Sequence, residues 1–166
     1  MTWATERLDA IKAGTAPLPL ITQTLRLGLL EDWGEGWVRK AWTPSPELAT
    51  ADGSIFGGYL AALADQTLAF ATMTTLPENT MYRTINLQMN FIRVARMGPL
   101  QIEARVVAQT KQLTTVRAEF RREDGELIAE ATAQQILMPL DTRPASERNA
   151  IEAMARESWE NNGKRG

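Results

Sequence analysis

The sequence predicts an α+β fold in which a curled antiparallel sheet wraps one long central helix, and three observations carry that reading. The run GGYLAALADQTLAFATMTTL, closed by Pro77, has the Ala/Leu content of a helix and is apolar nearly all round, as expected for burial on most faces. Four β-like runs follow it with short connections, which implies antiparallel pairing. Two further β-like runs precede it, about 24–31 and 36–43, flanking the turn sequence DWGEG.

Each element has its own local cause. TWATERLDAIKAG places Leu8 and Ile11 at helical spacing and stops at Gly14, predicting a packing helix over about 3–14. The prolines of PLPLITQTL break that helix, and the pair of runs around DWGEG reads as a β-hairpin. LATADGS is a polar loop leading into the apolar helix. TINLQMNF alternates Ile85, Leu87, Met89 and Phe91 against Thr84, Asn86, Gln88 and Asn90, the period of a half-buried strand. LQIEARVVAQ follows the Gly98-Pro99 turn, TTVRAEFRR puts Val116, Ala118 and Phe120 on one face, and Asp124-Gly125 joins it to ELIAEATAQQILM. These four strands read as a meander. The tail predicts a helix over about 146–159 before a disordered end. At 166 residues, without repeats or linkers, the chain is expected to be one domain over 1–166 with its core at about 24–139.

Composition narrows the chemistry. Cysteine and histidine are absent, which removes disulfides, thiol nucleophiles and imidazole bases and leaves no usual set of transition-metal ligands. No metal is expected, and the chemistry must run on carboxylates, hydroxyls, amides or backbone. Eighteen Lys+Arg against 20 Asp+Glu give a net charge of −2, which carries no nucleic-acid footprint. The N-terminus MTWATERLDAIK carries acids and lacks the apolar core of a signal peptide, so a cytoplasmic location is expected. Residues 53–77 are uncharged apart from Asp65, and their Gly, Thr, Gln and Ser content argues against a membrane span.

The order of elements, with DGSIFGGYLAALADQTLAFA, TINLQMNFIRVARMGPL and DGELIAEATAQ, resembles the hotdog fold, and within it the small PaaI-like acyl-CoA thioesterases of the phenylacetate-pathway type. The likeness spans about 24–139. Gly53, Gly57, Gly58, Asp65, Thr84, Gly98 and the run Asp124 to Ala129 match that family's pattern. Two positions depart from it: Phe56 stands where the family has the histidine of His-Gly-Gly, and Thr50 where it often has an asparagine. An FGG triplet is similar to the corresponding stretch of TesB-like thioesterases. The resemblance implies hydrolysis of an acyl-CoA, with coenzyme A entering only as part of the substrate and no separate cofactor. Hotdog dehydratases use a catalytic histidine, which this chain lacks. A hotdog protein that binds acyl-CoA without hydrolysing it is the alternative raised by Phe56 and Thr50.

The site residues follow from chemistry and resemblance together. A thioester carbonyl becomes an oxyanion on attack, and unpaired backbone N–H groups at a helix N-terminus stabilise it; Gly57 and Gly58 fit that need, or serve close helix packing. Asp65 stands alone among Ala62, Leu63, Ala64, Leu68 and Ala69, where desolvation would raise its pKa toward that of a general base. The resemblance makes it general base or nucleophile, and leaves both open. Thr84 matches the family hydroxyl that bonds the acid or the attacking water, although a surface-strand threonine reads the same. Gln66, Asn86 and Gln88 are candidate polar lining, and Tyr59 and Phe56 candidate acyl-pocket walls. Arg93, Arg96 and Lys111 at strand ends are candidate phosphate partners. Gly57 and Asp65, eight residues apart, lie about 12 Å apart along one helix, too far to act on one carbonyl. A shared site between two chains is therefore expected, in a homodimer or a dimer of dimers, and the resemblance implies the same.

Overall fold

The computed structural model describes residues 1–140, so the helix expected at about 146–159 lies outside the described residues. Helix α1 spans Trp3–Lys12 and is opened by a reciprocal cap, Thr5 N donating to Thr2 Oγ1 at 3.3 Å and Thr2 N to Thr5 Oγ1 at 2.9 Å. Its buried side, Ala4, Leu8 and Ile11, packs with Leu30, Met73, Leu76 and Leu137.

The hairpin around DWGEG forms, but its first strand is shorter and later than expected. Residues after Pro19 make a single helical turn, α2, Leu20–Thr24, and the chain then turns through positive φ at Arg26 and Gly28. Those dihedrals forbid a strand over 24–31. Leu27 and Leu30 are buried there as loop anchors, and the hairpin is β1, Asp32–Gly34, with β2, Trp37–Trp42.

Helix α3, Gly57–Met73, is followed by β3 (Thr80–Phe91), β4 (Leu100–Gln109), β5 (Leu113–Arg122) and β6 (Leu127–Pro139). All neighbours are antiparallel, in the order β1-β2-β4-β5-β6-β3. The expected four-strand meander is therefore only three strands long. β4 pairs with β2, β3 pairs with β6 at the far edge, and residues 92–99 carry the chain across between them. This order puts the apolar faces of β2 and β3 on opposite flanks of α3, so the sheet encloses the helix from both sides.

Alternation selects the inner face. Val38 and Trp42 on β2, Leu100, Ile102 and Ala104 on β4, Val116, Ala118 and Phe120 on β5, and Ala129, Ala131 and Ala133 on β6 form one cluster with Leu60, Leu63, Ala64 and Leu68 of α3. The alanines under the helix let its backbone approach the sheet closely. α3 is not covered all round, however. Gly58 and Asp65 are exposed and Ala61, Ala62 and Ala69 half-buried, a stripe at three- and four-residue spacing that the sheet leaves open. Among the described residues, no helix is long and apolar enough to cross a membrane.

Candidate active site

The start of α3 is set by a tightly knit loop. Asp52 Oδ1 accepts from Thr50 Oγ1 at 2.5 Å, Ser54 Oγ at 2.6 Å and Ser54 N at 3.0 Å, while Thr50 N donates to Ser54 O at 2.7 Å. The hydroxyls of Ser54 and Thr50 hold the Asp52 carboxyl far below the usual carboxylate range. Gly53 turns this loop at φ 76°, and Arg96 Nη1 donates to Asp52 O at 3.1 Å. Thr50 and Arg96 are thus committed to loop structure.

Phe56 is the N-cap of α3, with φ −58° and ψ 123°, and supplies no side-chain cap. The N–H groups of Gly57 and Gly58 therefore open the helix without a side-chain acceptor, at the positive end of its dipole. A Cβ on Gly57 would meet the Phe91 ring at 3.1–3.6 Å, and one on Gly58 the Phe56 ring at 2.6–3.4 Å. Both rings are more than half exposed and stand beside the two donors. Phe56, a candidate wall of the acyl pocket, lies with its ring beside Gly58; Phe91 was visible in the sequence only as one member of an alternating strand.

Two turns along α3, Asp65 is exposed, because its side of the helix is the open stripe. The desolvated setting expected from its apolar sequence neighbours is thus absent within one chain: Leu63, Ala64 and Leu68 are buried, whereas half-buried Ala62 and Ala69 share the open stripe with the carboxylate. Thr84 Oγ1 donates to Asp65 Oδ1 at 3.0 Å, so the strand hydroxyl and the acid meet as expected. Behind them, Gln135 Nε2 donates to Thr84 Oγ1 at 3.1 Å. Gln135 is fully buried, paired across the ladder with Thr84, and sequence reasoning missed it. The available signal was parity: on β6 it shares the apolar face with Ala131, Ala133 and Leu137. Tyr82, also on β3, has its phenol pushed up to about 12, by burial first and by the charge of Asp65 second.

A bulge places Thr84. The β3–β6 register pairs Thr84 with Gln135 and Asn86 with Gln134, leaving Ile85 without a partner. Thr84 consequently shares the helix-facing side with Leu87 and Met89, whereas Asn86 and Gln88 stand on the outer face with Asn90. The expectation that Thr84, Asn86 and Gln88 line one face is corrected by that single extra residue.

Of the remaining candidates, all but Lys111 make structural contacts. Tyr59 is buried, lies 5.3 Å from the Trp42 ring centroid, and donates its hydroxyl to Leu25 O, so it does not line an exposed pocket. Gln66 accepts from Lys40 Nζ through Oε1 and donates to Gly28 O through Nε2 at 3.5 Å, facing β2 and not Asp65. Lys40 is itself fully buried, and burial lowers its pKa from 10.5 to about 7. Arg93 pairs with Glu126 at 2.9 Å and donates to Leu127 O at 2.8 Å. Lys111 is exposed in the β4–β5 turn. Two open clefts, of about 470 and 420 Å³, are lined by Glu31, Arg39 and Glu119 and by Arg96, Arg122 and Asp124; neither is lined by Asp65 or the two glycines. Among the described residues, no group of three acidic side chains could hold a metal ion.

The sequence model of the Thioesterase superfamily matches residues 52–129, which contain the glycine pair, Asp65 and Thr84. Among solved structures, a phenylacetic acid degradation-related protein of Ralstonia eutropha JMP134 is 26% identical, over 78% of this chain and 98% of that one, with TM-score 0.70. A Thioesterase family protein from Silicibacter pomeroyi is 21% identical over 82% and 98%, TM-score 0.69. A Streptococcus mutans UA159 protein solved bound to acetyl CoA is 19% identical over 67% and 88%, TM-score 0.62. No curated protein matches this chain.

Proposed function

We propose that this chain, whose residues 52–129 match the Thioesterase superfamily and which has the hotdog fold, hydrolyses an acyl-CoA to the free acid and CoA at a site built from two copies. The observation that carries this reading is the pairing of an exposed, Thr84-bonded Asp65 with an uncapped helix start eight residues earlier on the same helix. The two cannot reach one thioester within a chain, since about 12 Å of helix separates them.

A second copy supplies the missing half. Among the described residues β3 is a free sheet edge, twelve residues long, whose only charged side chain is Arg83. Long edges with so little charge invite pairing with another strand. Beside that edge runs the open stripe of Gly58, Ala61, Ala62 and Ala69, whose small side chains permit a second helix to approach. In the resulting dimer the N–H of Gly57, with Gly58 beside it, holds the carbonyl oxygen while Asp65 of the partner subunit faces the carbonyl carbon. Water attacks, its proton passing to Asp65, or Asp65 attacks directly to give a mixed anhydride that water then opens. In either route the oxyanion forms against the glycine N–H and collapses with loss of the CoA thiolate. Single-turnover hydrolysis in ¹⁸O-labelled water places label in the Asp65 carboxylate only when an anhydride forms and water opens it at the aspartyl carbonyl, whereas direct attack by water places it in the acid product alone.

The acetyl-CoA complex of the Streptococcus mutans relative supports a CoA thioester as ligand. One observation favours the alternative, a protein that binds acyl-CoA without hydrolysis: the Phe56 ring stands over Gly58 where the family has histidine. A panel of aryl, short and long acyl-CoAs, assayed with a thiol-detecting reagent, decides. The thioesterase predicts CoA release that Asp65→Asn lowers by at least about a hundredfold. Binding without release by the wild-type protein would establish the alternative, and neither binding nor release would sink both.

A further inference from the structure

Gln135, a buried residue remote from the helix start, bears on the proposed site through the direction of a single proton. Its amide sits 3.1 Å from Thr84 Oγ1, and that oxygen sits 3.0 Å from Asp65 Oδ1. A threonine hydroxyl carries one proton and an ionised carboxylate can only accept. If the oxygen end of the amide faced Thr84, two acceptors would compete for that proton. Only the N–H end satisfies both contacts. It occupies the acceptor side of the hydroxyl and leaves the proton no partner except Asp65.

We propose that Gln135 is a positioning residue for the thioesterase reaction: its amide N–H fixes Thr84 as a donor to Asp65 Oδ1, leaving Oδ2 free for water or thioester. The inference rests on the catalytic role assigned to Asp65 above. The fold makes the arrangement rigid. Gln135 is fully buried between Thr84 on β3 and Thr114 on β5, its ladder partner on each side. The bulge at Ile85 turns Thr84 onto the inner face where it can receive that amide. Gln135 Oε1 and Thr114 Oγ1 are both buried without a partner, so the amide is retained at a cost in unsatisfied polar groups that packing alone does not repay. The other groups tied electrostatically to this corner are Tyr82, which responds to Asp65, and Arg83 and Arg7, which act on Tyr82.

The test is a double-mutant cycle read by ¹³C-carboxylate NMR titration of Asp65 in the intact protein, together with turnover. Gln135→Met keeps the volume and removes the donor. It is expected to raise the Asp65 titration midpoint by about one pH unit and lower kcat about tenfold, with KM within about twofold. In a Thr84→Val background, where no hydroxyl remains to be oriented, the same substitution is expected to move neither quantity further. Gln135→Glu is the second variant, since its ionised carboxylate would take the Thr84 proton and raise the midpoint more. Additive effects in the cycle would overturn the proposal, as would an unmoved midpoint in folded Gln135→Met or Gln135→Glu. The NMR arm needs no turnover: if the wild-type protein cleaves no thioester, the functional reading falls while the hydrogen-bond polarity is still decided.

Discussion

Lys40 is the largest fully buried side chain of the described residues, and its ammonium has only the amide oxygen of Gln66 for a partner. Such a group is held by the surrounding fold against its own solvation, which burial expresses by lowering its pKa from 10.5 to about 7. Above pH 10.5 the amine is neutral folded and unfolded, so no stability is lost. Between about 10.5 and 7 the unfolded chain takes up a proton that the folded chain refuses, so stability falls as pH falls; below 7 the loss is complete. Urea unfolding should therefore show wild-type stability rising relative to Lys40→Met between pH 7 and 10.5, by on the order of a few kcal/mol. At pH 7 and below Lys40→Met should be the more stable protein, and parallel pH curves would refute the account. Residue identities were only partly readable in advance. WVRKAW places Val38, Lys40 and Trp42 on one face, a visible signal for a buried lysine, but a charge at that parity is ordinarily discounted as surface. Asp65 was legible as the lone charge in an apolar run; its exposure was not, because Leu63, Ala64 and Leu68 beside it are buried while it lies on the open stripe with the small Ala62 and Ala69.

At the scale of elements, strands β4 to β6 fall within a residue of the segments that periodicity marks out, and α3 begins where expected and ends three residues early, at Met73. They are the segments where propensity, alternation and turn chemistry agree. The misreadings lie where a local dihedral or a partner strand decides. Residues 24–31 carry strand-like side chains, yet positive φ at Arg26 and Gly28 turns the chain before a ladder can form. In TINLQMNF the alternation is unbroken on paper, and the bulge exists only in the pairing with β6, which no local pattern encodes. That bulge has a functional consequence. Thr84→Val, on the inner face against Asp65, should lower kcat about tenfold, whereas Asn86→Ala and Gln88→Ala, on the outer face, should leave it within about twofold. Comparable losses in the Thr84, Asn86 and Gln88 variants would return all three residues to the single face that simple alternation implies.

For the whole molecule, the sequence supports a sheet around a helix, but the order of strands comes from which apolar faces must meet. With β4 between β2 and β5, and β3 sent to the far edge, α3 is gripped on both flanks and its Asp65 side is left uncovered by the sheet. The central claim is that this uncovered side is half of a site completed by a second copy. Gly57 is the first residue of α3 and follows Phe56 at φ −58° and ψ 123°, a conformation compatible with a following proline. Gly57→Pro therefore deletes the proposed oxyanion donor at a backbone conformation that proline accepts, with the exposed Phe91 ring, 3.1–3.6 Å from a Cβ at this position, having to move aside, and Asp65→Asn deletes the acid. Each variant alone should be nearly inactive. Co-expressed in equal amounts, random pairing makes half the dimers mixed, and each mixed dimer holds one intact site of two. The shared-site account predicts recovery of about one quarter of wild-type activity. No recovery above the single variants, in mixed dimers verified by differential tags and light scattering, would contradict it.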